Sequence, residues 1–187
     1  MEEVRAQTPL FFQEALVEEI RRITQGMRFF SPKNREIVPL TVHTQALPVP
    51  QKRGFSEDTG DFSSMTDGPN TIDYTDGPEE AVFDCPWCLV KIDGGSIPGI
   101  NQRQEIRAAV CFGIFDDSPE NKGHQTVLNL IQKTYERFAK DPLLRGQYTC
   151  QGSFEWALQE EDTFPYFFGA ISMQFSFWGF RRESKFT

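Results

Sequence analysis

Long apolar runs are missing from this sequence. None exceeds a few residues, so no segment offers the roughly 20 apolar residues that a membrane-spanning helix requires. The first residues, Met1-Glu2-Glu3-Val4-Arg5, lack the basic-then-apolar pattern of a secretion signal, which gives the expectation of a protein made in a cytoplasm and not exported. Basic charge is short as well. Lys and Arg total 19 against 27 Asp and Glu, for a formal net charge of −8. Such a chain gains little by displacing counterions from nucleic acid, so sequence-specific DNA or RNA binding is disfavoured. Histidine is scarce, with only His43 and His124. Neither lies near a nucleophile signature such as Gly-x-Ser-x-Gly, and the Gly94-Gly95 pair alone makes no phosphate cradle.

What is abundant is phenylalanine: 18 of 187 residues, beside 3 Trp and 4 Tyr. A single domain of this length buries about 70% of its unfolded surface, and the aromatic supply serves both a core and interfaces. Thr8-Pro9 signals a helix start. Phe12, Leu16, Ile20, Ile23 and Met27 follow at three- and four-residue spacing, predicting an amphipathic helix over residues 9–25 that Gly26 terminates. Residues 37–45 read as a strand interrupted by Pro39, and so at a sheet edge.

Between residues 48 and 84 the composition turns to Gly, Asp, Ser, Thr and Pro, with Asp-Gly-Pro at 67–69 and again at 76–78. Both are turn signals. This is an extended loop or a β-hairpin arm, and proteases are expected to cut at 52–80 first. Beyond it the pattern is regular. Residues 88–93 form a short strand ended by Gly94-Gly95, and residues 104–116 a strand with Ile106, Ala108, Val110, Phe112 and Ile114 on one face. Residues 124–140 form a helix facing inward through Val127, Leu128, Ile131, Tyr135 and Phe138, and ended by Asp141-Pro142. Residues 148–159 and 166–180 are strands, the last with Phe167, Ile171, Met173, Phe175 and Phe177 on one face. The class is α+β: an antiparallel-rich sheet with two main helices packed on one face, in one domain over 1–187 with 48–84 as the loop or arm.

Cys85-Pro86-Trp87-Cys88 is the one motif that looks like chemistry. A redox Cys-x-x-Cys opens a helix, whose N-terminus stabilises the thiolate. Here the motif runs into the strand-like Leu89-Val90-Lys91-Ile92, so a tight turn into a strand, with Trp87 packed on the core, is the preferred reading. A structural zinc site needs four ligands in paired clusters, whereas Cys111 and Cys150 stand alone in strands. All four cysteines are expected to be thiols. The acids between Glu57 and Asp84 lack the spacing of a calcium loop. No residue is assigned a catalytic, cofactor-binding or metal-binding role, no cofactor is expected, and the enzyme class has almost no support.

The runs Ile106-Arg107-Ala108-Ala109-Val110-Cys111-Phe112-Gly113-Ile114-Phe115 and Gly123-His124-Gln125-Thr126-Val127-Leu128-Asn129-Leu130-Ile131-Gln132-Lys133 resemble the strand and helix of bacteriophage tail terminator and tail-completion proteins. The later runs Phe154-Glu155-Trp156-Ala157-Leu158 and Phe164-Pro165-Tyr166-Phe167-Phe168-Gly169 resemble two further strands of that family. The resemblance covers residues 88–180; residues 52–84 have no counterpart in it. It implies a non-catalytic protomer that assembles into a homo-oligomeric ring, usually a hexamer. The ring would cap the tail tube at the tail–neck junction of the virion, after assembly in the host cytoplasm. The implied partners are the tail tube protein, the head–tail connector and, for a contractile tail, the sheath protein, with no membrane. A head-closure or other tail-completion protein is the alternative, and a cytosolic thiol-redox protein the enzyme alternative.

Overall fold

The computed structural model describes residues 8–33, 35–48, 85–99 and 101–179. The expected loop or arm therefore lies, from residue 49 to 84, outside the described residues. Helix α1 spans Pro9–Ile23. Thr8 caps it, its Oγ1 accepting from the Phe11 amide at 3.3 Å, and Pro9 fills the first turn, where no amide donor is needed. Arg21 and Arg22 close the last turn, where positive charge complements the exposed carbonyls. Gly26 then takes φ +83°, as the expected terminator. Phe12, Ala15, Leu16, Val17 and Ile20 are the buried face, with Ile23 and Met27 packed at its rim.

Two short antiparallel strands follow, β1 at Phe29–Phe30 and β2 at Ile37–Val38. Pro39 and Leu40 separate them from β3, Thr41–Thr44, so the expected proline interruption divides residues 37–45 between two sheets. The large sheet adds β4 (Trp87–Ser96), β5 (Arg103–Phe115), β6 (Leu143–Leu144), β7 (Tyr148–Leu158) and β8 (Tyr166–Trp178), with α2 (Gly123–Lys140) between β5 and β6. Its order is β3-β4-β5-β8-β7-β6. The β3–β4 pair is parallel and every other pair antiparallel. The fold is α+β, two helices against a large, mostly antiparallel sheet.

Both helices lie on one face, because both meet the same ring. Phe175 of β8 contacts Phe12 of α1 at 4.8 Å between centroids and Phe138 of α2 at 5.3 Å. Ile106, Ala108, Val110, Phe112 and Ile114 of β5 point into this core beside Ile171, Met173, Phe175 and Phe177 of β8, all at most 2% exposed. Each of these side chains larger than alanine contributes about 1.5–3 kcal/mol by leaving water. At the rim, Glu19 of α1 accepts from Arg137 of α2 and from Arg22, clamping the helices together. The Tyr148 hydroxyl donates to the Thr8 carbonyl at 3.0 Å, pinning the start of α1 to β7.

Two expectations need correction. The glycines do not end β4: the strand shifts register between Ile92 and Gly94 and continues to Ser96. Gly95 makes this possible, since a Cβ there would stand 2.4 Å from the Glu105 carbonyl oxygen. The inward face of α2 is also rotated. Val127, Ile131 and Phe138 are buried as expected, but Leu130 and Thr134 join them, while Leu128 is half-buried and Tyr135 is 41% exposed.

Candidate interaction surface

The Cys-x-x-Cys motif opens a strand, as its sequence context indicates. Cys88 is fully buried and Cys85 and Trp87 nearly so. Burial, with the neighbouring Cys111 thiol, pushes the Cys88 thiol well up from its ordinary value, which disfavours the thiolate form. Cys111 and Cys150 are raised by burial as well, and no disulfide joins the four. The Trp87 indole lies flat across Gly113, where a Cβ would sit 2.3 Å from the ring, and meets Phe168 at 5.8 Å. Trp87 thus packs against the side of the sheet away from the helices, and not on the helix-side core as expected, because strand alternation gives that side to Cys88 and Val90. His43 lies half-buried on β3 and His124 exposed in the first turn of α2. Among the described residues no three His, Cys, Asp or Glu side chains gather as metal ligands.

The sheet face opposite the helices carries a shallow polar depression lined by Asp93, Arg107, Ser153, Glu155, Ser172 and Gln174. Its charges are of mixed sign, and it holds neither a cysteine nor a histidine. It is suited to hydrogen bonding with a polar surface.

The sheet's margins carry more information. On the β3–β4 side, side chains extend the ladder. The Gln45 side-chain amide both donates to the Ile92 carbonyl and accepts from the Ile92 amide, each at 3.1 Å, as a strand residue would. Gln13 of α1 donates to the Val90 carbonyl and to Gln45, both at 3.0 Å, and Arg21 reaches the Val42 carbonyl at 3.5 Å. The bulge after Ile92 then turns β4 aside, and Lys91 and Asp93 place charges there. These are devices by which an edge is protected against further pairing.

The β7 margin differs. β6 pairs only with Tyr148 and Thr149, and the Pro142 carbonyl accepts from the Cys150 amide at 2.8 Å. From residue 151 to 158, no strand among the described residues pairs with the outer side of β7. The strand bulges between Cys150 and Phe154, with Gly152 at φ +76°, and is regular from Phe154 on. Beside this margin stands an apolar flank. Tyr135 of α2 meets Phe154 edge-on at 5.0 Å, and Trp156 is 60% exposed on the same side. Along the strand itself the charge is of one sign: residues 148–162 hold Glu155, Glu160, Glu161 and Asp162 and no Lys or Arg, with Arg107 beside Glu155 in the depression. An open ladder, exposed aromatics and acidic charge make a surface for an extended segment of opposite charge.

Sequence reasoning placed only residues 37–45 at a sheet edge and did not single out β7. The available signal was Trp156, an aromatic set close to the acids Glu155, Glu160 and Glu161. No protein-family model matches this sequence, and no curated protein matches it.

Proposed function

We propose that this protein is a structural assembly subunit, a tail terminator of a tailed bacteriophage that forms a ring on the end of the tail tube. The observation that carries the reading is the inequality of the two sheet margins: beside β3 and β4 the side chains of Gln45, Gln13 and Arg21 occupy backbone groups, whereas along residues 151–158 no strand among the described residues pairs with the outer side of β7. A self-matching two-fold contact uses one surface twice, whereas a ring needs two different surfaces that meet head to tail. The α+β fold and the family-like runs within residues 88–180 agree with this assignment. The buried Cys88 thiol weighs against the thiol-redox alternative. The ring, of six copies, joins the tail tube protein below to the head–tail connector above, with the sheath protein as a further neighbour in a contractile tail.

The test is made on particles. Removing the gene should give tails of uncontrolled length, and a label on the protein should appear at the tail–neck junction in electron micrographs. Tailless heads that leak DNA would assign it to head closure instead. A label along the tail or at its distal tip would end the terminator reading.

A further inference from the structure

We propose that the open margin of β7 is a strand-addition site, and that its occupant is the segment 180–187 of a second copy of this chain. The inference rests on the ring reading and names one of its interfaces.

Three observations choose the occupant. The first is charge. Residues 148–162 carry four acids and no base, so a second β7 facing the first would set Glu155, Glu160 and Glu161 against their own copies. Residues 49–84, with nine Asp and Glu against Lys52 and Arg53, are net acidic and would meet the same repulsion. Residues 180–187, Phe-Arg-Arg-Glu-Ser-Lys-Phe-Thr, hold Arg181, Arg182 and Lys185 against the single Glu183. The second is pattern. Phe180 and Phe186 fall on the same side of an extended chain, six residues apart. The helix-side row of the regular part of β7, Phe154, Trp156 and Leu158, offers an apolar counterpart on that side. Phe180 and Phe186, with Arg182 and Ser184 between them, would face the aromatic row, and Arg181, Glu183 and Lys185, of net positive charge, would face Glu155.

The third observation is position, and it selects a neighbour over the chain's own segment. β8 ends at Trp178, beside Arg103, just past the pairing of Ser176 with Thr149. At that end of the sheet β6 and Pro142 already occupy the outer side of β7. A chain leaving Trp178 must pass around β6 to reach its own open margin. The same segment from an adjacent copy meets that margin from outside, with no strand in the way.

Photo-crosslinking within the full chain tests this without assuming a register. Trp156 is replaced by p-benzoylphenylalanine, and light and heavy-isotope copies are mixed at high concentration and illuminated. Mass spectrometry should find adducts that join position 156 of one isotope to residues 180–187 of the other. Changing Arg181, Arg182 and Lys185 to Glu should reduce those adducts at least tenfold. Adding Glu155→Lys, Glu160→Lys and Glu161→Lys should restore them, in chains whose circular dichroism is unchanged. Adducts confined to one isotope, adducts to another segment, or none at all would overturn the proposal. Electron microscopy separates this from the ring itself. Rings seen without the 156-to-tail adduct remove this interface and leave the ring reading, whereas the adduct without rings does the reverse.

Discussion

The two margins of the sheet are built from the same kind of backbone and treated in opposite ways. At β3–β4, Gln45 supplies both halves of a ladder rung, Gln13 and Arg21 reach over from α1, and a bulge follows at once. At β7 the covering strand β6 stops after two residues, and the exposed remainder carries Trp156 beside Tyr135 and Phe154. Side-chain cover at one margin, beside a β7 margin that no strand among the described residues pairs, limits the edges available for sheet-to-sheet pairing. The comparison separates what stabilises the protomer from what is left for a partner.

Its sharpest test lies on α2, whose two sides serve these two ends. Ile131 is 4% exposed in the core, so Ile131→Ala should cost about 2–5 kcal/mol in denaturant unfolding. Tyr135, on the β7 flank and 41% exposed, should cost about 1 kcal/mol or less on replacement by Ala. Equal losses would make the aromatic flank part of the core and close the open margin as a partner surface.

The protected margin depends on α1 staying in place, and α1 is clamped to α2 through Glu19. Burial pushes the Glu19 carboxyl up, but hydrogen bonds from Arg22 and Arg137, with their charges, outweigh this and hold it below its usual range. Its stabilisation is therefore complete at neutral pH, above the unfolded-state value, and is lost as pH falls through the lowered folded-state value. Glu19→Gln should cost about 1–2 kcal/mol near neutrality, with Arg22's exposure keeping the loss at the lower end. The variant's deficit should shrink as the pH is lowered into the acid range. A deficit independent of pH would mean that packing, not charge, holds the clamp.

Much of the fold is legible in the sequence alone. The alternation in β5 and β8 and the Thr8-Pro9 start of α1 are strong local signals, and packing had no reason to overrule them. The errors have specific causes. Thr134 reads as polar, yet its hydroxyl donates to the Leu130 carbonyl at 2.9 Å and is satisfied in the core. Leu130 and Thr134 thereby displace Leu128 and Tyr135 from the inward stripe. Gly94-Gly95 reads as a terminator, while the second glycine is what permits close contact with β5. β1, β2 and β6 are two residues each, too short to have a period. The candidate surface was least visible because it depends on where β6 stops, and that is decided by pairing.

A smaller effect is expected at Gln45. Its side chain makes two exposed hydrogen bonds to Ile92, so Gln45→Ala should cost about 1 kcal/mol. The more telling result is kinetic. In native-state hydrogen exchange the Ile92 amide should be protected in the parent chain and should lose much of that protection in the variant. Dilute protein should also associate more readily once this rung is gone, because a second free margin has been created. An unchanged Ile92 exchange rate would show that the bulge alone protects the margin.

The smallest change in stability should come from Trp156, and its smallness is the point. A side chain that is 60% exposed forfeits little contact on replacement, so Trp156→Ser should shift unfolding by roughly half a kcal/mol or less. Phe154 keeps its edge-on contact with Tyr135 and still packs on the core, so the strand itself has no reason to move. If the aromatic serves a partner, the loss must appear in assembly: fewer closed rings in electron micrographs and weaker self-association in sedimentation, at unchanged Tm. Tryptophan is an expensive residue to leave in water and is enriched among interface anchors. A variant that unfolds earlier but assembles normally would invert this assignment, making Trp156 a support of the protomer and leaving the open margin without its anchor.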